Sequence, residues 1–354
     1  MKRGTLITIG LIVIVIVGAA ALASALPMSK LGGLGSGNAI SSATGTSGLP
    51  ILANQMPDFT GITNWWNTPN NQPLTPAGLK GKVVLVDFWT YSCINCIRTY
   101  PFLKSMYAKY ADDGLVIVGV HTPEFAFESD PNNVEQAILQ NGLKYPVALD
   151  ANYGTWNAYG NEYWPAEYLF DREGRLRHTQ FGEGDYDQSE EAIRSLLTEN
   201  SNVTLAPMGV AVATPDLSNI QTDETYFGLE RGSAFMGTPS TSGTTATFTA
   251  SATVGQNQWT AGGSWQFDPE FVETAAANDV FRFNVQANVL HIVLDSADGK
   301  DKTLDVYVDG KKTGTVTVNM SKLYDIATFA DGGRHTVELR IHDAGVRFYA
   351  ATFS

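Results

Sequence analysis

Two cysteines separated by two residues, Cys93-Ile94-Asn95-Cys96, are the only thiols in a chain of 354 residues. Taken alone, a pair at this spacing is compatible with a structural bridge, half of a metal site or a redox couple. As a staple it is inefficient, because a disulfide closed over so few residues removes little entropy from the unfolded chain. As a zinc site it lacks partners: zinc wants four ligands, no third cysteine exists, and His121, His178, His291, His335 and His342 show no ligand spacing. No metal site and no cofactor is expected. As a redox couple it needs a thiolate with a second thiol in reach, and its position suits that. The pair follows the apolar run Val83 to Phe88 and precedes a helical run through Tyr110, so it opens a helix at the carboxyl edge of a sheet. Free backbone N–H groups and the positive end of the helix dipole favour a thiolate there. Cys93 is then the nucleophile that forms a mixed disulfide, and Cys96, on the same turn, resolves it.

The surrounding elements must hold this pair in place. Val83 to Phe88, Leu115 to Val120, Tyr145 to Leu149 and Glu167 to Phe170 read as short strands alternating with helical patterns, which predicts an α/β sheet. Asp130-Pro131 predicts a helix start, and Asp187 is expected to cap a last helix running to Leu197. Asp87 interrupts an otherwise apolar strand. If buried, its carboxylate is desolvated, its pKa rises, and it becomes a general base near neutrality; at an exposed strand edge it would do nothing.

The segment Val86-Asp87-Phe88-Trp89, then Cys93-Ile94-Asn95-Cys96, then Pro101 resembles the active-site segment of the thioredoxin superfamily. The resemblance implies that Asp87 is the buried carboxylate taking the proton of the second thiol. Tyr163-Trp164-Pro165-Ala166-Glu167 resembles the superfamily's cis-proline loop, which implies a cis Pro165 facing the cysteines and a Trp164 backbone that pairs with an extended substrate peptide. Trp89, Trp164 and Pro165 are thereby implied on the substrate side. The strand-helix insertion around Leu115 to Leu149 is similar to that of the TlpA-like, cytochrome c maturation branch, in which Glu124 falls at the place of an acid near the active site, a second candidate proton carrier. Longer segments, Trp89 to Arg98, Val120 to Phe125 and Tyr163 to Tyr168, resemble DipZ-type proteins, and the likeness continues in Glu224-Thr225-Tyr226-Phe227-Gly228 and Trp259 to Trp265. Such proteins usually carry a multi-helix electron-transfer membrane domain, whereas one apolar segment is present here. The resemblance therefore implies protein thiol and disulfide substrates and a separate membrane electron donor of the CcdA or DsbD type.

That segment runs from Thr5 to Leu26 behind Met1-Lys2-Arg3, near the length that spans a bilayer. Residues 1–27 are expected to be an anchor, with Ala23-Ser24-Ala25 offering cleavage as a signal peptide instead; both leave the rest extracytoplasmic. Residues 28–55, rich in glycine and serine, read as a flexible tether, 56–200 as the thioredoxin-like domain and 201–215 as a linker. From 216 to 354 alternating runs separated by turns predict an all-β sandwich of jelly-roll, carbohydrate-binding-module-like type. Within it Leu304 to Val308, Asp309-Gly310 and Val316 to Val318 form a hairpin, and Val337 to Ile341 with Val346 to Ala350 form another. The net charge of -13, with no basic cluster to reverse it, excludes a nucleic-acid partner.

Two other functions compete. Thr90, three residues before Cys93, matches the position of a threonine before a peroxidatic cysteine, though Val86 stands where that pattern wants proline. A binding protein is the other: Trp259, Trp265, Tyr307 and Tyr324 could stack on a sugar, or could fill the core of the sandwich.

Overall fold

The computed structural model describes residues 48–209 and 217–354. The expected anchor, most of the tether and the second half of the linker lie outside the described residues. No helix among the described residues is long and apolar enough to cross a membrane.

The first half runs β1 (Asn64–Trp66), β2 (Val83–Trp89), α1 (Ile94–Tyr110), β3 (Leu115–His121), α2 (Pro131–Asn141), β4 (Val147–Leu149), α3 (Gly154–Tyr159), β5 (Ala166–Phe170), β6 (Leu176–Phe181) and α4 (Tyr186–Thr198). Its six strands form one sheet in the order β1-β4-β3-β2-β5-β6. β2 lies at the centre, parallel to β3 and antiparallel to β5. Every residue of β2 is buried, because helices cover both faces and its β-branched residues can be apolar on either side. Val83, Leu85 and Trp89 pack under α1 and α4, whereas Val84, Val86 and Phe88 face Trp156 and Tyr159 of α3. The expected strands are present, and β1 and β6 are added at the edges.

Asp130 caps α2 as expected, its side chain accepting from the Asn132 N–H at 2.9 Å. The cap of α4 is different. Asp185 holds the N-cap position with a left-handed backbone and no side-chain cap bond, and Asp187 lies inside the first turn, where its charge faces the positive end of the helix dipole. The last part of the expected tether is also held. Ala53 bridges Leu176, and the buried Arg177 guanidinium donates to the carbonyls of Leu49 at 2.8 Å and Pro50 at 3.1 Å.

The second half is wholly β: β7 (Thr225–Tyr226), β8 (Thr244–Phe248), β9 (Trp259–Phe267), β10 (Val272–Thr274), β11 (Asp279–Gln286), β12 (Val289–Ser296), β13 (Lys302–Val308), β14 (Lys311–Val318), β15 (Lys322–Thr328), β16 (Arg334–Ile341) and β17 (Val346–Phe353). The sheet is antiparallel, in the order β14-β13-β16-β11-β9-β10-β17-β12-β15, and folds over one apolar core to which both faces contribute. β9 belongs to both faces: Trp259 to Gly262 pair with β11, and Trp265 to Phe267 pair with β10. The bend falls at Gly263, where φ is +94° and a Cβ would collide with Asp279 Oδ1. Only glycine fits both demands. Asp279 clamps the corner, accepting from the N–H groups of Ser264 at 2.7 Å and Ala276 at 3.1 Å. Trp259, Trp265 and Tyr324 are buried in the core, and the half-buried Tyr307 lies under the Arg340 guanidinium at 4.1 Å. The four aromatics form no exposed stacking platform.

Candidate active site

Both thiols are free, and their environments differ. Cys93 is the N-cap of α1, extended at φ −78° and ψ 117°, and half-buried. Cys96, one turn inside, is fully buried. Its thiol hydrogen-bonds the Cys93 sulfur, and the Thr90 N–H points at its own sulfur. Burial first, then the bond to Cys93, pushes the Cys96 thiol up, so it keeps its proton until a base removes it. Arg98, on the exposed side of the same turn, forks onto Glu183 at 2.5 and 2.6 Å and reaches Asn95 at 2.5 Å, tying α1 to the loop before α4.

Asp87 lies on the α1 side of β2, with 0% of its surface exposed and both carboxylate oxygens without a hydrogen-bond partner among the described residues. Burial, and then the charge of Glu167, hold its pKa well above the ordinary carboxylate range. It acts electrostatically on Cys96, raising that thiol further. The expectation of a buried rather than an edge aspartate is what the structure has.

Trp89 does not sit on the substrate side. It is fully buried beneath the pair, edge-on to Tyr100 and His121, and its Nε1 lies so near β3 that a Cβ on Gly119 would come within 2.9 Å. A large apolar ring directly under a reactive turn supports it; it cannot also face a peptide. Thr90 is buried as well, its hydroxyl 3.4 Å from His121 Nε2. Burial lowers the His121 pKa to about 3, so that imidazole is neutral across the physiological range.

Glu124 is not joined to either cysteine. Its carboxylate accepts from the Tyr226 hydroxyl at 2.7 Å and pairs with Arg231 at 2.8 Å, both from the β half. The Arg231 guanidinium in turn lies 3.9 Å from the Tyr226 ring centre. The acid that reaches the redox turn is Glu128, four residues further on and fully buried. It accepts from the Ser92 hydroxyl at 2.6 Å and from the N–H groups of Glu124 at 2.6 Å and Phe125 at 3.0 Å. Burial, then the Glu124 charge, push its pKa up to about 7. Sequence reasoning misses Glu128 because its partner, Ser92, is local only in space. Between the two acids, Phe125 and Phe127 pack against Tyr349 of the β half, and the Ala126 N–H donates to Glu270 at 3.0 Å.

The peptide bond between Trp164 and Pro165 is cis. Pro165 is buried, and the half-buried Trp164 packs against Trp156 with ring centres 4.3 Å apart and planes tilted by 40°, and donates from Nε1 to the Thr122 carbonyl at 3.1 Å. Trp164 and Cys93 pack against the same core cluster. Two residues after the proline, Glu167 pairs in register with Asp87 across β2 and β5; it is 4% exposed, and burial pushes its pKa up to about 7. The segment containing it is legible in the sequence, but its cross-strand partner is not. Among the described residues no group of three or more metal-ligating side chains gathers.

A half-buried thiol at a helix start, a buried thiol hydrogen-bonded to it and a protonatable carboxylate nearby are the parts of dithiol–disulfide exchange. Residues 52–197 match the family model described as Redoxin, and residues 222–354 match the one described as thioredoxin-like C-terminal domain. The thiol-disulfide oxidoreductase YkuV of Bacillus subtilis is 32% identical over 149 residues, covering 42% of this chain and 97% of its own. The chain belongs to the thioredoxin-like thiol-disulfide oxidoreductases.

A more particular likeness covers both halves. Protein DipZ of Mycobacterium bovis is 42% identical over 257 residues, 72% of this chain, a stretch longer than either half alone. The chain spans about a third of that relative, 36% of its length. A solved thioredoxin-like protein in its oxidised form is similar over 42% of this chain and 97% of its own, at 32% identity and a TM-score of 0.38.

Proposed function

We propose that the protein exchanges dithiol for disulfide with protein substrates on the extracytoplasmic side of a membrane, in disulfide reduction or cytochrome c maturation. Cys93 attacks the substrate disulfide, one substrate sulfur leaves as a thiolate, and a mixed disulfide forms. Asp87 takes the Cys96 proton, Cys96 attacks the Cys93 sulfur, and the second substrate sulfur leaves. Two electrons pass from the cysteine pair to the substrate; the reverse sequence oxidises it. The single observation that carries this reading is the asymmetry of the pair, with Cys93 half-buried and Cys96 fully buried above an unpartnered carboxylate. Trp164 and Pro165 are assigned to the substrate side, where an extended peptide would pair with the Trp164 backbone. The basic start and apolar run of residues 1–27 support the location. A separate membrane donor of the CcdA or DsbD type would supply the electrons.

Cysteine substitutions test the assignment. Cys93→Ser should lower the rate of insulin disulfide reduction by about three orders of magnitude or more, as expected when a nucleophile is removed. Cys96→Ser should instead accumulate a covalent protein–substrate adduct visible on a non-reducing gel. Adduct formation through Cys96 in the Cys93→Ser protein would reverse the two roles.

A further inference from the structure

Glu167 is a further buried carboxylate, paired in register with Asp87, and the exchange described above leaves it without a task. In the antiparallel pairing of β2 with β5 it stands directly opposite Asp87, at a separation where cross-strand side chains touch. Both emerge on the α1 and α4 face of the sheet, since their strand neighbours Leu85 and Leu169 belong to that core. Asp87 is 0% and Glu167 4% exposed, and both Asp87 oxygens and Glu167 Oε2 have no partner among the described residues. The groups facing them are Cys96 and Tyr100 from α1, Tyr145 from the segment before β4, and Ser189 and Tyr186 from α4. The phenols of Tyr100 and Tyr145 are buried and held neutral. No lysine or arginine among the described residues acts on Asp87; the neighbouring charge it feels is that of Glu167. Two carboxylates this close, out of water and without a cation, cannot both ionise.

We propose that Asp87 and Glu167 hold one proton between them and that Glu167 takes it over while Asp87 works. Glu167 is thus a positioning residue, and the proposal rests on the reading of Cys96 as the resolving thiol. In the resting dithiol the shared proton sits on Asp87, the more deeply buried of the two and the one whose oxygens both lack a partner among the described residues, and it is donated toward the Glu167 carboxylate. When the mixed disulfide forms on Cys93, Asp87 passes that proton to Glu167 and takes the Cys96 proton in its place. The Cys96 thiolate then bonds to the Cys93 sulfur and the bond from Cys93 to the substrate breaks. Both carboxyls are now protonated, and one proton leaves, to the departing substrate thiolate or to solvent. Were the shared proton unable to cross to Glu167, Asp87 would stay occupied and could not take the Cys96 proton.

The aryl disulfide dithiobis(nitrobenzoate) separates the steps, since attack by Cys93 releases one coloured thiolate and resolution by Cys96 releases a second. Stopped-flow traces between pH 5 and 9 are expected to show a second phase with two inflections in the full chain, as for coupled acids. Glu167→Gln should reduce these to one, moved about one pH unit lower because the like charge is gone, with the first phase unchanged. Asp87→Asn should slow the second phase by about tenfold or more at neutral pH, within the range for a general base. The double variant should match Asp87→Asn. A Glu167→Gln profile that superimposes on the parent, or a Glu167→Gln effect of equal size with and without Asp87, overturns the proposal. The infrared spectrum of the unmodified protein tests it without a variant: the reduced form near pH 7 should carry a protonated-carboxyl carbonyl band that changes on oxidation, and its absence also overturns the proposal. A Cys96→Ser protein that still releases the second equivalent would instead sink the resolving role of Cys96 itself.

Discussion

The two halves of the chain treat buried polarity in opposite ways. In the redox half Asp87, Trp89, Tyr91, Tyr100, His121, Tyr145 and Glu167 each keep a buried side-chain polar atom without a hydrogen-bond partner, and every such atom among the described residues falls between Thr68 and Ser189. The described residues of the β half contribute none. There the buried Asp279 accepts two backbone N–H groups, and His291 sits between Asp325 at 2.6 Å and Ser354 at 2.8 Å. Orphaned polar groups in a low dielectric are costly, so their confinement to one half marks where stability is given up for chemistry. The β half, with its buried polar groups paired, is the stable partner that holds the 122–130 loop through Tyr226, Arg231, Glu270 and Tyr349.

That contrast can be broken most sharply in the β core. Phe281 stacks between Trp259 and Phe348 and is fully buried, so Phe281→Ala should cost about 4 kcal/mol. Urea denaturation should show the loss in the β half, while the rate of Cys93 alkylation in native buffer stays within about twofold of the parent, as expected for a distant site. A large change in alkylation would mean that the halves are not separable in this sense.

A smaller effect should follow pH. The folded Glu167 has its pKa raised from 4.5 to about 7. As pH rises through that window the unfolded glutamate loses its proton first, so the contribution of this group to stability is present below pH 4.5 and is lost by about pH 7. Histidines buried neutral, His121 above all, act in the opposite sense below their unfolded pKa, so the parent curve alone mixes the two. The difference between Glu167→Gln and the parent isolates the acid: relative to the parent the variant should gain about 2 to 3 kcal/mol between pH 4.5 and 8. Chemical denaturation at several pH values measures it, and a flat difference would show that Glu167 ionises as if exposed.

The smallest effect concerns the junction. Arg231→Ala removes a partly exposed ion pair with Glu124 and a cation–π contact with Tyr226, together about 1 kcal/mol. Hydrogen exchange of the Phe125 and Glu128 amides should quicken several-fold, with global stability nearly unchanged. Unchanged exchange would mean that the β half does not steady this loop.

How much of the fold and the site can be read from the residues alone follows from how local each signal is. The cysteine pair, Asp87 in its apolar strand and the strand-proline segment around Pro165 are contiguous motifs. The Asp309-Gly310 hairpin is equally local: both residues have positive φ in the structure, as a two-residue turn wants. β1 and β6 escape such a reading because they are edge strands; Leu176 to Phe181 carries Arg177, His178 and Gln180 and lacks an apolar stripe. Trp89 is misplaced by it because a tryptophan near a nucleophile reads the same whether it faces substrate or supports the turn from below. Glu128 and Glu167 are invisible as site residues because Ser92 and Asp87, the groups that give them meaning, are brought to them only by tertiary contacts and strand register.

The position of β17 carries a consequence for how the molecule is made. This strand comes last in chain order yet lies inside its face, between β10 and β12, with β7 also paired to it. As the chain is delivered amino end first, the redox half can close on itself early, since all its strands precede residue 182. The β half cannot close until its final strand is available, so its apolar interior stays open to the surroundings throughout that interval. The half that ends as the stable partner is therefore the one most exposed to aggregation during synthesis, and the thiols are in place before the scaffold that steadies their loop.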